Sequence, residues 1–573
     1  MGQASEIIES MLRAVPARQE RLDEDQIGAL RELTSSLVAA KPDAAGEYAR
    51  FLGIKQRGLC LPEADLASRV GGATVLVTGG TGCIGSTLMA QLAAREPGRL
   101  ISVSRGVTAG WPRQENAEYR YADVRDRRAI DELIAAVRPD LIFHVAAQRS
   151  PALAEVEVHR TVTTNVLGSR NVLTAAAAAR VPQVVVASTG KALRPYSPEM
   201  YTASKRAAEW VATTVASDSD MLCSASRFTH VIDNSIVYQR LQGWAEDDGR
   251  GVVRLHSSTI AFYVQSALES AQLLLLALLG AQRGEFRVHA ITDLGWPVTL
   301  IDVAVGVLAH KGSRSPIYFS GYDPGYEEVP FPGLYDPATA GDVSPLLNAF
   351  ETAAAVDSPC PMVDAFRLDM APDQVAPKLL TALETVCERT EDALAVRHAL
   401  DDLSWSVLDA TLGAAARPAL TRSAKLVVQH EHAMTPVHRR VMEAIKGHAN
   451  AELSAAGDSP LQAAGGCGLA AGGTVRAARS RPGRPYSLSR VAIPSSMQST
   501  PNSNRSSRVS GESGSTPDSR MRTRCGYRPD SLILRPNSAI DSSISPLVMP
   551  AVVSARLSPQ RISWISRSAA PTT

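Results

Sequence analysis

A phenol and an ammonium stand four residues apart in Tyr201-Thr202-Ala203-Ser204-Lys205, a spacing that puts both on one face of a helix. The lysine charge is expected to make the phenol more acidic. Tyr201 can then act as general base on a substrate alcohol while hydride leaves the carbon for a nicotinamide ring. Ser188 and Thr189, at the predicted carboxyl end of a strand, can hold the same hydroxyl, and Lys191 adds a further base nearby. A Tyr/Lys pair at this spacing is common by chance, so its meaning depends on what precedes it.

What precedes it is a nucleotide turn. Thr78-Gly79-Gly80-Thr81-Gly82-Cys83-Ile84-Gly85 follows a predicted strand and opens a predicted helix. Gly79 permits a tight turn, Gly82 lets backbone approach a pyrophosphate, and Gly85 lets the helix pack close to the sheet. The unpaired N–H groups of the helix start then face the phosphates. Thr81, Cys83 and Ile84 belong to the same expected contact set. Ser104-Arg105-Gly106 ends the second predicted strand, where Arg105 suits a 2′-phosphate and points to NADP, with NAD as the alternative. Asp123, followed by Val124, is placed to accept from an adenine amine. Ala146 and Ala147 are small enough for the dinucleotide to pass over the sheet edge, and Asn165 and Lys205 complete the expected cofactor residues.

These residues need a sheet to hold them. From residue 73, short β-branched runs alternate with alanine-rich stretches, which predicts strands at 73–77, 100–104, 119–122, 141–145, 184–187 and 222–228. Helices are predicted at 86–95, 127–137, 162–179 and 203–216. The rotation describes an α/β, doubly wound parallel sheet of the Rossmann kind, spanning 71–345 with a small substrate cap at about 245–345. A helical extension at 1–70, a helical region at 346–450 and a disordered Ser/Arg/Pro-rich tail at 451–573 complete the expected organisation.

The chain of 573 residues carries 59 basic and 58 acidic side chains. That balance conceals an asymmetry: 44 basic residues meet 52 acidic ones before Ala451, whereas the rest has 15 Arg, no Lys and 6 acidic residues. The tail reads as dispensable or as the product of a frameshift, and without interleaved aromatics it does not predict specific nucleic-acid binding. Seven cysteines scattered singly fit neither a disulfide framework nor a zinc site. With no apolar run longer than 273–281, a cytoplasmic protein with no membrane partner is expected.

The ordered series resembles the extended short-chain dehydrogenase/reductases, and within them the polysaccharide-biosynthesis nucleotide-sugar epimerases and dehydratases, the UDP-N-acetylglucosamine 4,6-dehydratases above all. The resemblance runs from about Gly72 to Glu328. It rests on the glycine turn, Ser104-Arg105, Asp123-Val124-Arg125-Asp126, His144-Val145-Ala146-Ala147, Thr164-Asn165-Val166-Leu167-Gly168, Ser188-Thr189-Gly190-Lys191-Ala192, Tyr201 with Lys205, Arg227-Phe228, and the turn Gly321 to Glu327. It implies transient oxidation of a nucleotide-sugar hydroxyl with a recycled cofactor, and a homo-oligomer. Two departures bear on the chemistry. Gly190 replaces the Asp of the family's Ser-Thr-Asp-Lys motif, so elimination of water needs another acid, with Glu199 or Thr189 through water as candidates. Two phosphate-facing arginines are replaced, at Ala261 and Asp323. Net dehydrogenation of a sugar or polyol and a silent nucleotide-binding scaffold are the competing readings.

Six further residues also admit purely structural roles. His144 reads as a hydrogen-bonded core histidine, and His430, Glu431, His432 and His438 lack ligand spacing, so no metal is expected. Arg149 reads equally as a substrate contact, like its lysine counterpart in the resembling family, and as a rim residue.

Overall fold

The computed structural model describes residues 2–106, 110–246, 251–322, 333, 344–370, 377–421, 423 and 435–455. Of the predicted tail, 451–455 are helical rather than disordered, and the remainder, like the His430–His432 cluster, lies outside these residues. Helices α1 (Gln3–Ala14), α2 (Glu24–Ala40), α3 (Ala44–Gly53) and α4 (Glu63–Val70) precede the sheet. Asp23 starts α2 with a capping box, its side chain accepting from Gln26 N–H while Gln26 reaches back. Leu30, Thr34 and Leu37 form the buried stripe of α2.

The sheet then begins. Strand β1 (Thr74–Thr78) leads through the glycine turn into α5 (Cys83–Ala93), followed by β2 (Arg99–Ser104), β3 (Glu118–Tyr121), α6 (Arg127–Val137) and β4 (Leu141–His144). A π turn at Thr163–Leu167 runs into α7 (Gly168–Ala178), and β5 (Gln183–Thr189), α8 (Met200–Ser217) and β6 (Leu222–Phe228) follow. Helix α9 (Ala267–Gly280) precedes β7 (Phe286–Ile291), and α10 (Leu300–Lys311) lies in the cap. Strands β8 (Ala355–Val356) and β9 (Val363–Arg367) and helices α11 (Pro377–Arg389), α12 (Ala393–Ala414) and α13 (Pro436–Ala455) follow.

The sheet order is β8-β9-β7-β6-β5-β4-β1-β2-β3. Strands β1 to β7 pair in parallel, and β9 and β8 add an antiparallel edge. Chain direction across the sheet reverses between β1 and β4, and the crevice outside their carboxyl ends is where such sheets bind ligands. Val75, Leu76, Val77, Ile142, Phe143, Val184 and Val185 are shut from solvent, as a sheet covered on both faces requires, each contributing roughly 1.5–3 kcal/mol.

The sheet is wider than the sequence pattern predicts. Strand β7 falls in the stretch read as cap, because Arg287 and His289 interrupt its apolar alternation, although His289 is buried. The region 346–450 opens with β8 and β9 and is helical only from Pro377 onward. Helix α5 starts three residues before the predicted Ser86, with Gly82 as its N-cap. The predicted helix 162–179 is broken by the π turn, a local widening of the helix frequent at functional sites.

A second core joins the N-terminal helices to the cap. Tyr48 and Phe51 of α3 pack with Tyr238, and Val303, Val305 and Val307 of α10 share the same cluster. Tyr318 Oη donates to the Pro16 carbonyl at 2.9 Å and accepts from Gln19 N–H at 3.0 Å. Among the described residues no helix is long and apolar enough to cross a membrane.

Inside the first core a four-charge network fixes α8 against the sheet. Arg227 of β6 is wholly buried. Its Nε and Nη2 donate to Glu209 of α8 at 2.9 and 2.8 Å, and its Nη1 and Nη2 donate to Glu351 at 2.6 and 2.8 Å. Arg206 Nη1 donates to Glu351 at 3.0 Å and to the Ala192 carbonyl at 3.1 Å. Buried charges persist only when paired and hydrogen-bonded like this.

Arg227→Met removes the shared partner and leaves two buried carboxylates facing Arg206 alone. It should cost about 3–5 kcal/mol in urea denaturation; a loss under about 1 kcal/mol contradicts the network's role. The buried histidines give a pH test. Burial holds His144 down at about 3 and His289 at about 4, below the ordinary value, so below pH 6.5 the unfolded chain takes up protons that the folded one refuses. Stability should fall as pH drops from 6.5 toward 4, by about 2 kcal/mol per histidine at pH 5. Equal denaturation midpoints at pH 7 and pH 5 would contradict it.

Candidate active site

The glycine turn is built as a cradle. Gly79 has φ +75°, and a Cβ there would sit 2.8 Å from Ala146 N; the turn therefore touches the chain leaving β4, and only glycine fits. A Cβ on Gly85 would lie 2.1 Å from the Gly79 carbonyl oxygen, so the helix start rests on the turn itself. At Gly82 the nearest atom to an added Cβ is 3.5 Å away, which leaves the first turn of α5 approachable. Cys83 and Ile84 belong to this first turn, whose N–H groups lack intrahelical acceptors. Thr81 Oγ1 donates to the Gly106 carbonyl at 3.2 Å and ties the turn to the end of β2. The residues present fit a dinucleotide pyrophosphate.

The residues expected to meet the adenosine lie beside β2 and β3. Arg105 is partly exposed, its guanidinium 3.9 Å from the Asp123 carboxylate. Asp123 is gripped by Arg125, whose Nε and Nη2 donate at 3.0 and 2.7 Å. Burial pushes the Asp123 carboxyl up, but the Arg125 hydrogen bonds and the two guanidiniums outweigh it and hold the group below its ordinary range. Val124 is buried against Gly168, where a Cβ would come within 2.8 Å of its methyl. Asn165 differs from the expected cofactor contact. Its Oδ1 accepts from Gln148 N–H at 2.8 Å, and its Nδ2 donates to the Gln148 carbonyl and to Ser204 Oγ, both at 3.0 Å. With both amide protons spent inside the protein, Asn165 clamps the loop after β4 to α8.

His144 extends the clamp and keeps its structural reading. Ser169 Oγ donates to the Asn165 carbonyl, so it accepts from His144 Nε2–H at 2.9 Å. His144 Nδ1 then accepts from Thr78 Oγ1 at 2.8 Å, and Thr78 accepts from Ala146 N–H at 3.3 Å. A neutral imidazole thus joins the carboxyl ends of β1 and β4.

At the reacting end, Thr189 hydrogen-bonds the Tyr201 phenol. Burial raises the phenol's pKa, while the Thr189 bond and the Arg149 cation oppose that rise. The tuning expected from Lys205 therefore comes from Arg149. Lys205 Nζ donates instead to the Ala187 carbonyl at 2.7 Å. Burial lowers its pKa to about 8, against the pull of Glu209. Alternation along β5 separates the two hydroxyls: Thr189 faces the phenol, but Ser188 Oγ donates to Glu209 at 2.6 Å inside the buried network. Ser188 is a structural partner of α8, not a holder of substrate.

The candidates for a second acid and base are also bound. Lys191 Nζ lies 3.3 Å from Glu199 Oε2, and Arg194 and Thr202 bond the same carboxylate at 2.9 Å each. Burial raises the Glu199 carboxyl, but Arg194 and Lys191 prevail and hold it low, ionised at neutral pH; it cannot serve as the acid proposed from sequence. At Gly190 an added Cβ would lie 2.6 Å from Leu346 Cδ2, so Leu346 fills the space that an acidic side chain would need.

The chain leaving β6 contributes Asn234, whose amide oxygen accepts from Arg149 Nη1 and Nη2 at 2.7 and 3.1 Å. Asp233 beside it accepts from Ala267 N–H at the start of α9. Burial, and then Asp233, push the Cys83 thiol up to about 12 against Arg149, so Cys83 stays an unreactive thiol. Ala261 is exposed in a two-residue strand, while Asp323 to Glu327 lie outside the described residues. Glu209, Leu346 and Glu351 were not legible as site residues. Glu209 stands one helical turn beyond Lys205 and could have been found by spacing, whereas nothing local marks the other two.

Residues 75–329 match the family described as polysaccharide biosynthesis protein. The chain is 29% identical over 274 residues to the capsular polysaccharide biosynthesis protein CapD of Staphylococcus aureus, covering 45% of each chain. It is 26% identical over 290 residues to the probable polysaccharide biosynthesis protein EpsC of Bacillus subtilis, covering 48% of each. It is 26% identical over 263 residues to a UDP-glucose 4-epimerase of Rickettsia felis, covering 43% of this chain and 74% of that one. The chain thus spans about half the length of the first two relatives. The segment 75–329, with its glycine cradle, seven parallel strands and Thr189–Tyr201–Lys205 arrangement, is thus similar in sequence to the polysaccharide biosynthesis proteins and to a nucleotide-sugar epimerase.

Proposed function

We propose that the protein is an NAD(P)-dependent enzyme that transiently oxidises a hydroxyl of a nucleotide sugar and then reduces the same sugar, in the biosynthesis of a polysaccharide or glycosylated metabolite. The observation that carries this reading is the Thr189–Tyr201 hydrogen bond at the carboxyl edge of the sheet. Its support is the adjoining glycine cradle and the likeness to CapD, EpsC and the epimerase.

When bound, the dinucleotide accepts a hydride from the sugar carbon and returns it. Tyr201 takes the hydroxyl proton as that hydride leaves and gives it back when the carbonyl is reduced. Thr189 orients the phenol, and the Arg149 charge stabilises its anion. Lys205, anchored on the Ala187 carbonyl, supports the cofactor side of the helix. Arg105 favours a 2′-phosphate, hence NADP over NAD.

The surroundings favour epimerisation over elimination. Loss of water needs a proton for the departing hydroxyl. Glu199 is held ionised, and Leu346 occupies the place above Gly190. A redox-neutral isomerisation needs neither.

Full-length protein incubated with a panel of nucleoside-diphosphate hexoses, without added oxidant, should yield a product of unchanged mass. A product lighter by one water, or reduced cofactor formed one-for-one with substrate, would contradict it. Tyr201→Phe should lower turnover by about 10²–10⁴-fold and leave fluorescence-monitored dinucleotide binding unchanged; retained turnover removes Tyr201 as base. Arg105→Ala should weaken NADP binding by about tenfold or more and spare NAD, and equal effects on both would assign NAD.

A further inference from the structure

Residues 344–354 lie beyond the matched segment, which ends at residue 329, yet they reach the centre of its helical layer. Asn348 and Glu351 cap one another: Asn348 Oδ1 accepts from Glu351 N–H at 3.0 Å, and Glu351 Oε2 accepts from Asn348 N–H at 2.9 Å. Asn348 Nδ2 donates to the Leu193 carbonyl at 2.8 Å. Arg227 also donates to the Leu346 carbonyl at 3.0 Å. The carboxylate of Glu351 is 4% exposed and takes three more hydrogen bonds, from Arg206 and from both terminal nitrogens of Arg227.

We propose that Glu351 is a positioning residue for the reaction centre: it holds Arg206 and Arg227 beside the helix that carries Tyr201 and Lys205, and its charge keeps Lys205 an ammonium. The inference rests on the reading of Tyr201 and Lys205 given above. Arg206 follows Lys205 directly, and Glu209, gripped by Arg227, lies one turn further along the same helix. Ser188, which donates to Glu209, is the neighbour of Thr189 on β5. The network therefore grips both sides of the Thr189–Tyr201 pair.

Charge balance gives the second half of the proposal. Lys205 meets the Ala187 carbonyl of β5, the charge of Glu209 on its own helix and the neutral His144 of β4, while Glu209 is bound by Arg206 and by Arg227 of β6, and Glu351 binds both arginines. With Glu351 present, three cations meet two carboxylates in a region shut from water. Without it, three cations meet Glu209 alone, and the neutral form of Lys205 gains.

The test is a pH titration of the Lys205 Nζ signal by nuclear magnetic resonance in full-length protein labelled with 15N-lysine, assigned through Lys205→Arg. The wild-type midpoint should fall near 8. Glu351→Gln should move it down by about one unit, a tenfold change, Glu351→Asp should restore it, and Arg206→Met should move it up. Leu347→Ala, a buried apolar change in the same segment, should lower the melting temperature and leave the midpoint in place. A midpoint unmoved by Glu351→Gln and Arg206→Met overturns the proposal. Should Glu351→Gln fail to fold, Arg206→Met decides alone. Midpoints that shift as expected in a protein that turns over no nucleotide hexose would dismiss the reaction and retain the role of Glu351.

Discussion

A wholly buried guanidinium with four carboxylate bonds is the constraint on which the rest depends. Arg227 cannot leave water without partners, and its two partners come from α8 and from a segment more than one hundred residues further on. Satisfying it forces three distant pieces of chain to meet at one point. The helix that results is the one bearing Tyr201 and Lys205. A merely apolar contact would let that helix slide along the sheet; directional, paired hydrogen bonds fix its register.

Around this anchor the site divides into two halves with different materials. The cofactor half is made of backbone: a turn that only glycine can trace, a helix start, and small residues where β4 ends. The reacting half is made of side chains whose acidity is set by burial and by neighbouring charge. Joining them is a chain of hydrogen bonds through Thr78, His144, Ser169 and Asn165. Asn165 sits in the π turn, where the widened backbone brings its amide level with both the loop after β4 and Ser204. Pre-organisation of this kind lets a phenol and a hydride acceptor be held within reacting distance without reorganisation at the moment of reaction.

Much of this was legible in the residue order because its signals are local. The glycine turn, the strand–helix rotation and the Tyr201/Lys205 spacing each fit within a few residues, and together they describe the doubly wound pattern. What stayed hidden depends on contacts distant in sequence. The side of β5 on which Ser188 points is set by Glu209, and the filling above Gly190 by Leu346. The cation that acts on the phenol is Arg149, which the sequence could place on a loop but not aim. Strand β7 was concealed for a related reason: a buried histidine and an arginine stem interrupt its pattern, and His289 Nδ1 and Arg287 Nη1 find their carbonyl partners only in the fold.

The central claim is that hydride leaves and returns to one sugar on this site, with Tyr201 moving the proton. A nucleotide hexose carrying deuterium on the carbon bearing the reacting hydroxyl tests it most directly, with the label followed by nuclear magnetic resonance in product formed from full-length protein and bound cofactor alone. The account predicts that deuterium stays on that carbon, now of inverted configuration. Deuterium released to solvent, or recovered in free reduced cofactor, would contradict it.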